Sequence, residues 1–161
     1  MSEDDVGAAA PELLALATVA RQLAEQGRLD DARTLLEGLV ILEPTSAYFH
    51  TCLGCVYMRM DRGEDAVASF EEALRYDPAD IVAHTYCGEL KLERGQLEPA
   101  LDHFGRAAGG DLEGMDPHAN RARTLSLIAE RIRAEATGKP TEAVRDLVRK
   151  ALRAEGEDGP R

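Results

Sequence analysis

An offset of 34 residues runs through the first two thirds of this chain. It carries Ala32 onto Ala66 and Ala100, within Leu29-Asp30-Asp31-Ala32, Gly63-Glu64-Asp65-Ala66 and Leu97-Glu98-Pro99-Ala100. It also carries Leu36 onto Phe70 and Phe104, Leu39 onto Ala73 and Ala107, Pro44 onto Pro78, and Gly27 onto Asp61 and Gly95. A fixed period of this length implies stacked units, because one short unit cannot bury its own apolar face and must lay it against a neighbour. Each unit reads as two amphipathic helices with a short turn between them. Small residues stand where those helices must touch: Gly54, Gly88 and the three alanines. Asp30-Asp31 and Glu64-Asp65 fall in the first turn of each second helix, where the helix dipole favours carboxylates. Pro78 cannot continue a helix, and Ser46 and Asp80 stand where the next helix needs an N-cap.

The pattern fades after Gly109-Gly110, although His50, His84 and His118 keep the 34-residue spacing, as a duplicated unit would. Asp116-Pro117 reads as a helix start, a cap followed by proline in the first turn. The helix it opens should run to about residue 137, where Gly138-Lys139-Pro140 ends it. Val144, Leu147, Val148, Ala151 and Leu152 then share one face of a last amphipathic helix. The expected layout is an acidic, flexible N-terminus at 1–11 and repeats over 12–114, with units 13–46, 47–80 and 81–114. Capping helices at 115–154 and a polar tail at 155–161 follow.

The net charge of −11 argues against nucleic acid, whose phosphates need a basic surface, and against anionic lipid. No apolar run approaches the roughly 20 residues that span a bilayer, so no direct membrane insertion is expected. Met1-Ser2-Glu3-Asp4-Asp5 is acidic where a signal peptide is basic, which predicts a cytoplasmic protein. Three cysteines do not suggest a disulfide framework. Cys52-x-x-Cys55 sits one turn apart inside a helix, and no second pair exists to complete a zinc site, so both read as packing residues. The histidines would lie on helices about 8–10 Å apart, too far to share an ion. There is no phosphate loop, metalloprotease motif or nucleophile elbow. The chain is therefore expected to be no enzyme, to hold no cofactor or metal, and to take a protein partner.

The period and residue types resemble the tetratricopeptide repeat family. In the second unit Leu53-Gly54, Tyr57, Ala66, Phe70, Ala73 and Pro78 match its pattern, with His50 where tryptophan is usual. The third unit keeps Gly88, Ala100, Phe104 and Ala107 but has Cys87 and Lys91 at large apolar positions and Leu112 for the terminal proline. The resemblance implies an all-α, right-handed superhelical stack of three helix hairpins plus two C-terminal helices. It implies a concave groove lined by the first helices, which would receive a protein or peptide segment. By register the groove residues are Leu14 and Arg21; Tyr48, Thr51, Cys55, Met58 and Arg59; Val82, Thr85, Glu89 and Leu92; and Arg123 on the capping helix. The family's carboxylate clamp of Lys and Asn is missing, since Ala17, Arg21, Cys52, Val82 and Tyr86 occupy its positions.

A narrower resemblance is to the translocator chaperones of bacterial type III secretion. It rests on residues 35–44, on Tyr48-Phe49-His50 with Leu53-Gly54, and on Ala83-His84 followed by residues 88–95. It implies a chaperone that holds an apolar secreted protein. Two alternatives stay open: an adaptor or scaffold subunit of a bacterial motility, polarity or envelope complex, and a regulatory subunit of an enzyme. A homodimer is also left open.

Overall fold

The computed structural model describes residues 10–157. Residues 1–9 and 158–161, which hold most of the expected N-terminal segment and part of the tail, lie outside the described residues. The described residues form helices and no strand: α1 (Pro11–Glu25), α2 (Leu29–Leu42), α3 (Ala47–Arg59), α4 (Gly63–Tyr76), α5 (Ile81–Glu93), α6 (Leu97–Gly109), α7 (Pro117–Glu135) and α8 (Thr141–Glu157). Helices α3 and α5 begin at the expected unit starts, 47 and 81. Helix α1 begins two residues early because Pro11, having no N–H to leave unpaired, opens it.

The chain divides into two compact units, Met1–Ala83 and His84–Arg161, with the division inside α5. In the first unit, Ala17, Ala20 and Ala24 of α1 are buried together with Ala32, Leu36 and Leu39 of α2. In α3–α4 the Phe70 ring is wholly buried, and a Cβ added at Gly54 would lie 2.6 Å from its Cε1. Only glycine lets the two backbones close on the ring. The second unit repeats the device, with buried Phe104 seated against Gly88. The turns inside the hairpins also match: Gly27 and Gly95 take φ of +80° and +74°, and Asp61, at the same point of the intervening repeat, takes +57°.

His50 takes the place of the usual tryptophan by doing two jobs. Its Nε2 lies 2.7 Å from the Pro44 carbonyl, to which it donates, and its ring stacks on Tyr76 at 5.8 Å. Asp80 caps α5 as expected, its Oδ1 accepting from the Ala83 N–H at 2.9 Å. Ser46 precedes α3, but its side chain makes no capping bond. Asp116 caps α7 in full, accepting from the N–H groups of His118 and Ala119.

The register of α7 corrects the histidine spacing. Asp116 follows Asp80 by 36 residues, not 34, because the segment between α6 and α7 is longer. His50 and His84 are the fourth residues of their helices, whereas His118 is the second of its own. His118 therefore sits at a different position, and its offset from His84 is coincidental. Its ring meets Tyr86 edge-on at 5.6 Å, while His84 faces His103 with 2.9 Å between their Nδ1 atoms. One of those nitrogens must donate and the other accept, so both cannot be protonated there. Burial, and then the charge of His84, push the His103 ring down to about 4.

Candidate functional site

In the first unit, Tyr48, Cys52, Cys55 and Arg59 follow one another at helical spacing and form a single stripe along α3. Tyr48 is 43% exposed, Arg59 is exposed, and the two cysteines between them are half-buried. Arg21 of α1 stands near the head of the stripe, where its charge acts on both Tyr48 and Cys52. Burial raises the Tyr48 phenol, and the hydrogen bond it shares with Cys52 raises it further. Burial also raises both thiols, Cys55 up to about 12, with Cys52 and Asp80 adding to it. Neither is a thiolate near neutrality, so neither has the reactivity of a redox or nucleophilic cysteine. Arg21 and Arg59 make no ion pair among the described residues. Leu14 is 41% exposed, and Met58 and Val82 are half-buried.

Four expected groove residues are taken up by the chain itself. Thr51 is buried and donates to Asp80 Oδ2 at 2.5 Å, helping to fix the start of α5. Thr85 is wholly buried and donates to the His118 carbonyl at 3.2 Å, tying α5 to α7. Leu92 is 1% exposed. Arg123 donates through Nη2 to the carbonyls of Ala108 and Asp111, so it closes the α6–α7 loop. The +2 register shift of α7 explains that last displacement.

In the second unit Glu89 and Arg121 form a two-pronged ion pair, one arm of which, Nη2 to Oε2, measures 2.9 Å. They line a cavity of about 590 Å³ with Leu92, Glu93, Thr124, Leu125 and Ile128 and with two residues of α8, Leu152 and Glu155. Arg121, Leu125 and Ile128 were not foreseen. Counting from the Asp116 cap rather than by 34 would have found them.

The first unit also carries an apolar surface that the sequence reading missed. Leu16, Leu35, Leu39, Ile41 and Leu42 line a shallow cavity of about 680 Å³ between α1 and α2. Ile41 and Leu42 are 77% and 65% exposed, and their spacing gave no signal beyond ordinary helix periodicity.

Residues 47–80 match the family described as tetratricopeptide repeat. That segment is a tetratricopeptide repeat. The whole fold is of the tetratricopeptide type: the chain is similar to the Sgt2 TPR domain of Aspergillus fumigatus, with a TM-score of 0.71 at 17% identity, covering 81% of this chain and 84% of that one. It is similar as well to the type III secretion translocator chaperone SycD of Yersinia enterocolitica, with a TM-score of 0.70 at 18% identity, covering 83% and 89% of the two chains. PcrH of Pseudomonas aeruginosa gives 0.68 at 21% identity, over 81% of this chain and 95% of that one. At these identities the likeness speaks for the fold.

Among curated sequences, this chain is 31% identical over 97 residues to the probable UDP-N-acetylglucosamine–peptide N-acetylglucosaminyltransferase SPINDLY of Solanum lycopersicum. It is 29% identical over 89 residues to the Arabidopsis thaliana protein of the same description. The match covers 58% of this chain in the tomato case, and the chain spans about 10% of the length of those relatives. No helix among the described residues is long and apolar enough to cross a membrane.

Proposed function

We propose that this chain is a polypeptide-binding module and that the α1–α3 face of its first unit takes an extended segment of a partner protein. One observation carries the reading: the Tyr48–Cys52–Cys55–Arg59 stripe, with Arg21 near its head, is apolar in the middle and cationic at its edges, and Tyr48 and Arg59 are exposed. In a chain of net charge −11, two arginines on one face that make no ion pair among the described residues are a specific signal. They suit a segment that brings an acidic residue beside an apolar anchor seated on Tyr48. Met58 adds an adaptable contact.

The neighbours support binding of this kind. SycD has been solved with a peptide of the translocator YopD, PcrH with the chaperone binding region of PopD, and the first TPR of Spaghetti with an HSP90 peptide. Within this reading the secretion chaperone is the finer proposal. It rests on the two chaperone neighbours and on the missing clamp residues, which disfavour recognition of a chaperone's C-terminal carboxylate.

The test begins with affinity purification from the native cell and identification of the captured protein. An apolar secreted protein supports the chaperone, whereas cytoskeletal or envelope proteins point to an adaptor. Calorimetry with the captured segment then reads the face: Tyr48→Ala should weaken binding by about 1–2 kcal/mol, and Arg21→Glu by a similar amount. Unchanged affinity in both folded variants removes the face from consideration.

A further inference from the structure

The second unit's counterpart of this face is already occupied. Each first helix can be indexed from the residue before it, Ser46, Asp80 or Asp116. The ninth and twelfth residues after that point are Cys55 and Met58 on α3, Glu89 and Leu92 on α5, and Leu125 and Ile128 on α7. The last four line one cavity, and Leu152 and Glu155 of α8 line it with them. Helix α8 starts beside the α5–α6 turn, where Arg145 Nε donates to the Arg94 carbonyl at 3.0 Å and its side chain packs on Gly95. It ends beside Glu89 and Arg121, one to two turns back along α5. It therefore runs antiparallel to α5 across the positions that Cys55 and Met58 hold in the first unit.

Its seating is that of a docked ligand more than of a core helix. Val144, Val148 and Leu152 stand four residues apart on one face; the first two are buried and the third is half-buried. The hairpins of the repeats close ring against glycine with no room for a methyl group. Helix α8 instead leaves about 590 Å³ beside Leu152, walled in part by carboxylates. It hangs from a short link through Gly138, whose φ is +77°.

We propose that the α5–α7 face is a helix-docking site, that α8 fills it in cis, and that the external partner it fits is an amphipathic helix with aliphatic residues at i, i+4 and i+8. The inference deepens the polypeptide-binding reading but concerns the second unit alone. A partner helix competes with α8, so its apparent affinity is reduced by the fraction of time α8 is seated.

A fluorescent peptide with the sequence of residues 140–157 serves as the probe, titrated by anisotropy into the full chain. Val148→Asp, which puts a charge at the centre of the seated face, should raise peptide affinity about tenfold over wild type by vacating the site. Adding Leu125→Asp should abolish binding. Hydrogen exchange on the wild-type chain gives a readout that needs no mutant to fold: α8 amides should exchange faster than those of α5 and α7, and faster still with excess peptide. Equal peptide affinity in wild type and Val148→Asp, or α8 protection equal to that of α5 and α7 and unmoved by peptide, overturns the proposal. Tyr48-dependent capture of the native partner is scored separately, so either reading can fail while the other stands.

Discussion

Two positions that the repeat makes equivalent differ in burial and in partners. On α3 the positions of Cys55 and Met58 are half-buried, and Tyr48, about two turns before Cys55, is 43% exposed. On α5 the same positions hold Glu89, ion-paired to Arg121, and Leu92, 1% exposed. The hairpins beneath are built alike, Gly54 on Phe70 in one and Gly88 on Phe104 in the other. In the second unit Leu152 and Glu155 of α8 line the cavity that Glu89 and Leu92 share. Burial at one repeat position is thus set by the residues packed around it and not by the repeat alone.

The sharpest way to break this comparison is a pair of matched truncations. Leu92→Ala removes a fully buried side chain and should cost about 2–4 kcal/mol of stability. Met58→Ala, 34 residues earlier at a half-buried position, should cost about 1 kcal/mol. Urea denaturation of the two variants checks it. Equal losses would mean that the two positions are equally packed.

The histidines offer a second contrast. His50 in the first unit spends its ring on the Pro44 carbonyl and Tyr76, whereas the second unit pairs His84 with His103. Because the folded His103 ring is held down to about 4, it stays neutral through a range in which the unfolded ring, near 6.5, takes a proton. Stability is therefore complete above about pH 6.5 and falls as the pH drops from there to about 4, by about 1–2 kcal/mol after allowing for partial solvation. His103→Gln should flatten that part of the profile. Midpoints of urea unfolding at half-unit steps of pH would show it, and an unaltered slope would place the acid sensitivity elsewhere.

Much of this architecture could be read from spacing, because the determinants are local. Ala32, Ala66 and Ala100 mark where helices touch, Asp116-Pro117 marks a start, and the turn residues mark the reversals; each acts within a few residues of itself. The placement of Tyr48, Cys55 and Arg59 on one stripe of α3 follows from spacing for the same reason, since α3 and its neighbours keep an unbroken 34-residue register. The second face was misread at two points, both of them long-range. Counting on by 34 past Gly110 put Arg123 in the groove and made His118 an echo of His84, because a lengthened α6–α7 segment shifts α7 by two without disturbing its own periodicity. The burial of Leu92 was hidden because its own spacing does not say what packs against it, and the amphipathic pattern of α8 declares that it has a face to bury but not where. Thr51 and Thr85 were misplaced for a related reason: a hydroxyl one turn into a helix looks the same in sequence whether it meets a partner or the start of the next helix.

The smallest effect tests the common framework on which the comparison stands. The turn inside each hairpin needs one residue with positive φ; glycine supplies it at Gly27 and Gly95, and Asp61 supplies it at +57°. Aspartate tolerates the left-handed region better than most residues but still carries a Cβ that crowds the backbone there. Asp61→Gly should relieve that crowding and lose some of the gain to the greater freedom of glycine in the unfolded chain, a net stabilisation of about 0.5 kcal/mol or less. Asp61→Val should cost more than 1 kcal/mol, roughly, since a branched side chain fits the region worst. Thermal unfolding of the two variants decides between a turn that the three repeats share and one that aspartate has reshaped. If glycine destabilises, the Asp61 side chain contributes more to the turn than its geometry accounts for, and the turns of the three hairpins are not interchangeable.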